Sequence, residues 1–212
     1  MIRHHLSEDL LTGYSAGTLP EAFNLLVATH VSLCDECRAR LGSLDALGGA
    51  VLDAQSEAAM SAGSLAAVMA RIADAAPLPR AAVVAGGVFP APLRDYVGGD
   101  AGAVRWRSVG GGVRQAILPT SDAASARLLY IPAGRAVPDH GHRGTELTLV
   151  LQGAFHDETD HFGRGDVEIA DSTLEHTPVA APGLPCICLA ATDAPLRFKG
   201  LLPRLLQPFM KI

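Results

Sequence analysis

Apolar positions along the chain follow two different rhythms. Up to about residue 75 they recur every three or four positions, the period of one helix face. Phe23, Leu26, Val27 and His30 form such a stripe, opened by Pro20 and Glu21 with proline at a tolerated first-turn position. Ser7 ahead of Glu8 and Asp9 marks an earlier helix start, a hydroxyl cap followed by an acidic first turn. Ser32 with Asp35 three residues on has the form of a capping box. A third helix is therefore expected from about Leu33, continuing through Leu41, Leu44, Leu47 and Val51. A fourth is expected over about 65–75. Such short helices make a bundle that is poor in core.

From Val104 the rhythm shortens to that of strands. Gly110, Gly111 and Gly112 separate Val104–Val109 from Val113–Leu118, a hairpin signal. Further runs are Arg127–Ile131, Glu146–Leu151, Val167–Ile169, Cys186–Ala191 and Leu196–Leu202. Short strands with glycine turns and no helix between them predict a sandwich or jelly roll. Between the two halves, residues 76–92 hold four prolines, two glycines and one charge. The expected class is α + β in two domains: a helical domain at 1–78, a linker at 79–95 and a β domain at 96–212.

Composition narrows the function classes. The chain is 49% apolar and 18% charged, enough to build cores. No apolar run reaches the roughly 18 residues of a membrane span, and MIRHHLSEDL lacks the apolar stretch of a signal peptide. A cytoplasmic protein is expected. Residues 1–75 hold four basic and nine acidic side chains, so the whole formal excess of −5 lies there. That balance disfavours direct nucleic-acid contact and suits a basic partner.

Chemistry concentrates in the β half at Gly134, His140, His142, Glu146 and Gly153, the pattern G-x5-H-x-H-x3-E-x6-G. Residues two apart on a strand share a face, so both histidines point the same way. Glu146 opens the next strand, and His176 can return to the same pocket one hairpin later. Imidazoles with a carboxylate suit several divalent transition metals, zinc among them. These residues resemble the cupin superfamily, whose first motif is matched at every specified position. Its second motif is matched only at Gly165 and His176, with Asp171, Thr173 and Ala180 departing from it. The resemblance implies a small antiparallel barrel with His140, His142, Glu146 and His176 around one metal. Nearby, His156, Asp157, Glu158, Asp160 and His161 read as a solvated hairpin turn. Cys186 and Cys188 alternate on a strand, so they read as two small buried residues facing one side.

In the helical half, His30, Cys34 and Cys37 form H-x3-C-x2-C within eight residues. A helix N-terminus there stabilises thiolate, the form that binds metal. A closed zinc site takes four ligands, and His4 and His5 are candidates for the fourth. A histidine about 25 residues before H-x3-C-x2-C resembles zinc-containing anti-sigma factors, and His5, nearer the Ser7 cap, is the expected ligand. Joined to a carboxy-terminal cupin, the whole chain resembles the ChrR type of anti-sigma factor. That resemblance implies a one-to-one heterodimer with a group IV (extracytoplasmic-function) sigma factor, held through the amino-terminal domain around a structural zinc. It implies that the cupin domain is needed for release, in response to oxidative stress such as singlet oxygen, and that the protein is no enzyme. Two alternatives stand beside it: a metallocupin oxygenase or isomerase with an accessory zinc domain, and a redox switch that ejects zinc when Cys34 and Cys37 oxidise.

Overall fold

A computed structural model describes residues 1–75, 86–195 and 197–198. The Pro-rich run beyond Ala75, as far as residue 85, and most of the strand expected over Leu196–Leu202 lie outside the described residues. Among the described residues five α-helices come first: α1 Glu8–Ser15, α2 Glu21–Val31, α3 Asp35–Asp53, α4 Ser64–Asp74 and α5 Ala91–Val97. Twelve strands follow: β1 Arg107–Gly110, β2 Val113–Leu118, β3 Ser125–Ile131, β4 His140–Gly141, β5 Glu146–Gln152, β6 Ala154–His156, β7 His161–Gly163, β8 Val167–Ala170, β9 Glu175–His176, β10 Val179–Ala180, β11 Cys186–Thr192 and β12 Arg197–Phe198.

All strand pairs among the described residues are antiparallel. A six-stranded sheet runs β1-β2-β3-β11-β5-β8, and two three-stranded sheets, β10-β6-β7 and β12-β4-β9, complete a jelly roll. Alternation sorts the side chains of the central strands. Arg127, Leu129, Cys188, Ala190, Glu146 and Thr148 line a cavity inside the roll. Their neighbours Ala126, Leu128, Leu147, Leu149, Leu189 and Ala191 lie on the other face, buried in a core shared with the helices. Both faces of β5 and β11 are thus covered, which explains the nearly unbroken apolar sequence of β11, while β5 turns the polar Glu146 and Thr148 into the cavity.

The helical half does not stand apart from this sheet. α2 buries Ala22, Phe23, Leu25, Leu26 and Val27 in the same continuous core as the sheet residues. The core that a bundle of this size lacks is supplied by docking on the sheet. Glu21 fastens one end of α2, accepting hydrogen bonds from Tyr96 Oη at 2.9 Å and from the Ser121 N–H at 2.7 Å. The later part of the stretch read as linker is packed into the fold: Phe89 and Leu93 are fully buried, and Asp100 accepts from the Val88 and Phe89 amides.

Several expected boundaries move. Ser7 caps α1 as expected, accepting from the Leu10 N–H at 3.3 Å. The third helix starts at Asp35, not at Leu33, and its cap is Cys34 in extended conformation. Ser32 continues the turn of α2 and donates back to the Thr29 carbonyl at 2.7 Å. β1 begins at Arg107, three residues later than expected. The carboxy-terminal part of α3 and all of α4 do not join the bundle. Leu47, Val51 and Leu52 are exposed, and α4 buries none of its residues.

Candidate metal centres

The first cluster is assembled from three places in the chain. α2 presents His30 in its last turn, fully buried. The start of α3 supplies Cys34 and Cys37, whose N–H points back at Cys34 Sγ at 3.5 Å. The segment ahead of α1 adds His5, with Nδ1 at 3.3 Å from Cys34 Sγ and 3.7 Å from Cys37 Sγ. One ligand atom from each of the four lies within 4.8 Å of the others. His4 turns the other way: its Nε2 pairs with Asp160 at 3.1 Å and its ring rests on Phe162. The structure brings His5, not His4, to the cysteines.

The nitrogen lone pairs are directed by outer partners. His30 Nδ1 meets the Gly165 carbonyl at 2.9 Å. A carbonyl only accepts, so Nδ1 carries the proton. His30 Nε2 is then a bare lone pair, buried without a hydrogen-bond partner. His5 Nε2 faces Glu36 at 3.3 Å, which leaves its Nδ1 lone pair toward the sulfurs. Burial holds the His30 pKa down to about 4, so the imidazole is neutral at neutral pH. Burial, with Cys34 alongside, pushes the Cys37 thiol up to about 11, a mismatch that a bound dication would reverse. A tetrahedral centre with the usual zinc bond lengths places sulfur and nitrogen about 3.6 Å apart. The two sulfur–nitrogen distances to His5 straddle that value, and the donor set fits zinc.

The second cluster lies inside the jelly roll. β4 and β9 pair so that His140 sits opposite His176, and His142 follows one residue beyond β4. His176 Nε2 lies 3.2 Å from His140 Nε2 and 3.3 Å from His142 Nε2. Two nitrogens on one tetrahedral zinc are separated by about 3.3 Å, so these three also fit a metal. Burial lowers the pKa of both His140 and His142 to about 4.

Glu146 lines the same cavity, of about 440 Å³, buried on β5 within the electrostatic reach of Arg127 and His176, with its carboxylate outside the set of ligand atoms that lie within 4.8 Å of one another. The carboxylates that do reach the histidines are two that the sequence reading missed. Asp157 Oδ2 and Glu168 Oε1 lie 2.7 and 3.1 Å from His176 Nδ1. Burial opposes a charged His176, but Glu168 and Asp157 outweigh it and raise its pKa to about 9. Burial, with Asp157 beside it, raises Glu168 to about 7. Asp157 is held below the usual carboxylate range, because hydrogen bonds from Glu168, Thr159 and His176 outweigh its burial.

This corrects the reading of residues 156–161 as a solvated turn. His156 and His161 are exposed, whereas the Asp157 side chain is fully buried. Glu168 carried a signal that could have found it: a charge between Val167 and Ile169 on an expected strand faces opposite to both. Asp157 carried none, since it sits among polar neighbours. Cys186 and Cys188 are buried as expected, facing the same side with sulfurs 3.4 Å apart.

Comparison with known proteins places the chain. Residues 95–194 match the family model described as the ChrR cupin-like domain. The anti-sigma-E factor ChrR of Cereibacter sphaeroides is 66% identical over 211 residues, covering 100% of this chain and 99% of the relative. The crystal structure of Rhodobacter sphaeroides SigE in complex with the anti-sigma ChrR superposes with a TM-score of 0.81 at 66% identity, covering 91% of this chain and 100% of the other. With identity running the full length of both chains and the helical and cupin halves arranged alike, this protein belongs to the ChrR family of anti-sigma factors.

Proposed function

We propose that the protein binds a group IV (extracytoplasmic-function) sigma factor one to one and holds it inactive in the cytoplasm. The observation that carries this reading is an apolar surface that no other described residue covers. On α4, Leu65, Val68, Met69 and Ile72 recur at helical spacing and are 75%, 47%, 56% and 62% exposed. Leu47, Val51 and Leu52 on α3 add to it. Exposed apolar stripes of this kind mark protein interfaces. The acidic balance of residues 1–75 suits a basic partner such as a sigma factor. No described helix is long and apolar enough to cross a membrane.

In this reading His5, His30, Cys34 and Cys37 hold a structural zinc that ties the chain start to α2 and α3. A zinc bound only by the folded chain stabilises the fold that binds it. His140, His142 and His176 hold zinc or another divalent metal in the cupin, with Glu146 on the same cavity wall. Asp157 and Glu168 fix the His176 ring so that its Nε2 faces the ion. The cupin domain is the part that answers to oxidative stress such as singlet oxygen and brings about release. The test is transcription by a purified sigma factor of this class with core polymerase: adding this protein should abolish it, and oxidant treatment should restore it. Undiminished transcription with this protein in excess would overturn the reading.

A further inference from the structure

The tandem His4-His5 stands at the joint between the two clusters, and its two members are held by different halves of the protein. His5 faces Cys34 and Cys37. His4 is gripped from the cupin side by its backbone and its ring. Its N–H donates to Asp166 Oδ1 at 3.0 Å, beside the Arg3 N–H at 2.6 Å. Its carbonyl accepts from the Val167 N–H at 3.2 Å. Its Nε2 pairs with Asp160 at 3.1 Å.

Both cupin segments that grip His4 also hold the far cluster. Glu168 is two residues from Asp166 and contacts His176 Nδ1; Asp157 is three residues from Asp160 and contacts the same nitrogen. The same strand start reaches the near cluster directly, through the Gly165 carbonyl on His30 Nδ1. At Gly165, φ is +91° and an added Cβ would lie 2.6 Å from Ile2 Cδ1, so the amino-terminal segment is seated against the strand with no slack. Asp166 is the centre of the joint, since its second oxygen accepts from the Gly163 N–H at 2.8 Å and locks the turn before β8.

We propose that Asp166, acting through His4, is the positioning residue that couples the cupin histidine cluster to the Cys/His cluster. When the contacts on His176 Nδ1 change, the 157–168 hairpin and the start of β8 move the backbone of residues 3–5, and with it His5. This rests on the reading that both clusters hold metal, and it gives the route by which the cupin governs the sigma-binding half.

The test measures coupling in the full-length, zinc-loaded protein. Alkylation rates of Cys34 and Cys37 are read by peptide mass spectrometry, which separates them from Cys186 and Cys188. Disabling the cupin cluster with His142→Ala should raise the rate about fivefold, the factor carried by a coupling of about 1 kcal/mol. In the Asp166→Ala background the same substitution should change it by less than about twofold, and Asp166→Asn, which keeps a carbonyl acceptor, should restore part of the response. His4→Phe keeps the ring on Phe162 but loses the Asp160 contact, so it offers a second, milder break that should also reduce the response. An Asp166→Ala effect that multiplies every rate equally, with the His142→Ala response intact, would reduce Asp166 to a purely structural residue and overturn the proposal. So would Cys34 and Cys37 rates indifferent to His142→Ala in the wild-type background. Sigma binding plays no part in the readout, so loss of sigma binding with coupling intact would count against the anti-sigma reading alone.

Discussion

The Gly165 carbonyl accepts a hydrogen bond from His30 Nδ1 at 2.9 Å, across 135 positions of sequence. A backbone atom of the cupin domain thereby decides which nitrogen of a helical-domain histidine is free to bind metal. Histidine ligands are ordinarily oriented by such outer partners. Here the partner belongs to the other half of the protein, so the His30 ring of the candidate site is oriented only when the halves are docked.

Gly165→Ala should weaken that docking. The substitution puts a Cβ into Ile2 and forces a left-handed backbone on alanine, together about 1–3 kcal/mol. A lowered thermal midpoint with faster chelator removal of the first zinc is the expected outcome. Unchanged stability would mean that the segment before α1 is free to move aside.

Cys37→Ser should lose one metal equivalent and sigma binding together, since the cluster then keeps only one of its two thiolates. Cys34→Ala should do the same and also remove the α3 cap, a further cost of about 1 kcal/mol. Metal analysis combined with a binding assay checks both. Wild-type sigma affinity without the metal would contradict a structural zinc.

Asp157→Asn combined with Glu168→Gln should lower cupin metal affinity about 10- to 100-fold while leaving the Cys/His site filled. Competition with a chromophoric chelator measures it. Equal affinity in the double variant would remove these carboxylates from the site.

In metal-free protein, stability should fall as pH drops from 6.5 toward 4. Burial lowers His30 to about 4, while the unfolded chain takes up that proton near 6.5, so the unfolded state binds more protons in this window. His140 and His142 act with the same sign, and Glu168, raised to about 7, acts with the opposite one. Each pH unit carries up to about 1.4 kcal/mol per group. Urea midpoints across the window should show a shallower slope for His30→Gln than for wild type; identical slopes would contradict a buried neutral imidazole.

Met69→Asp or Ile72→Asp on α4 should cut sigma affinity at least about tenfold with the thermal midpoint unchanged, because these side chains are exposed in the chain by itself. A drop in midpoint without an effect on binding would show that α4 packs within the protein.

Sequence alone marked the main helices and longer strands and most of the candidate metal-site residues, but not α5, which lies in the stretch read as linker. The change of rhythm near residue 104 separates helices from strands, because side-chain period depends only on backbone geometry. Spacing in H-x-H and H-x3-C-x2-C marked His140, His142, His30, Cys34 and Cys37, since local backbone geometry brings residues at such spacings together. Tertiary structure decided what depends on neighbours distant in sequence. It selected His5 over His4, because Asp166 and Asp160 hold His4 elsewhere. It buried Asp157, whose polar neighbours gave no sign of it, and set it with Glu168 against His176 Nδ1. It also merged the two halves into one core. An amphipathic helix records that it has an apolar face, but what covers that face is set by packing: the sheet for α2, and nothing within the described chain for α4.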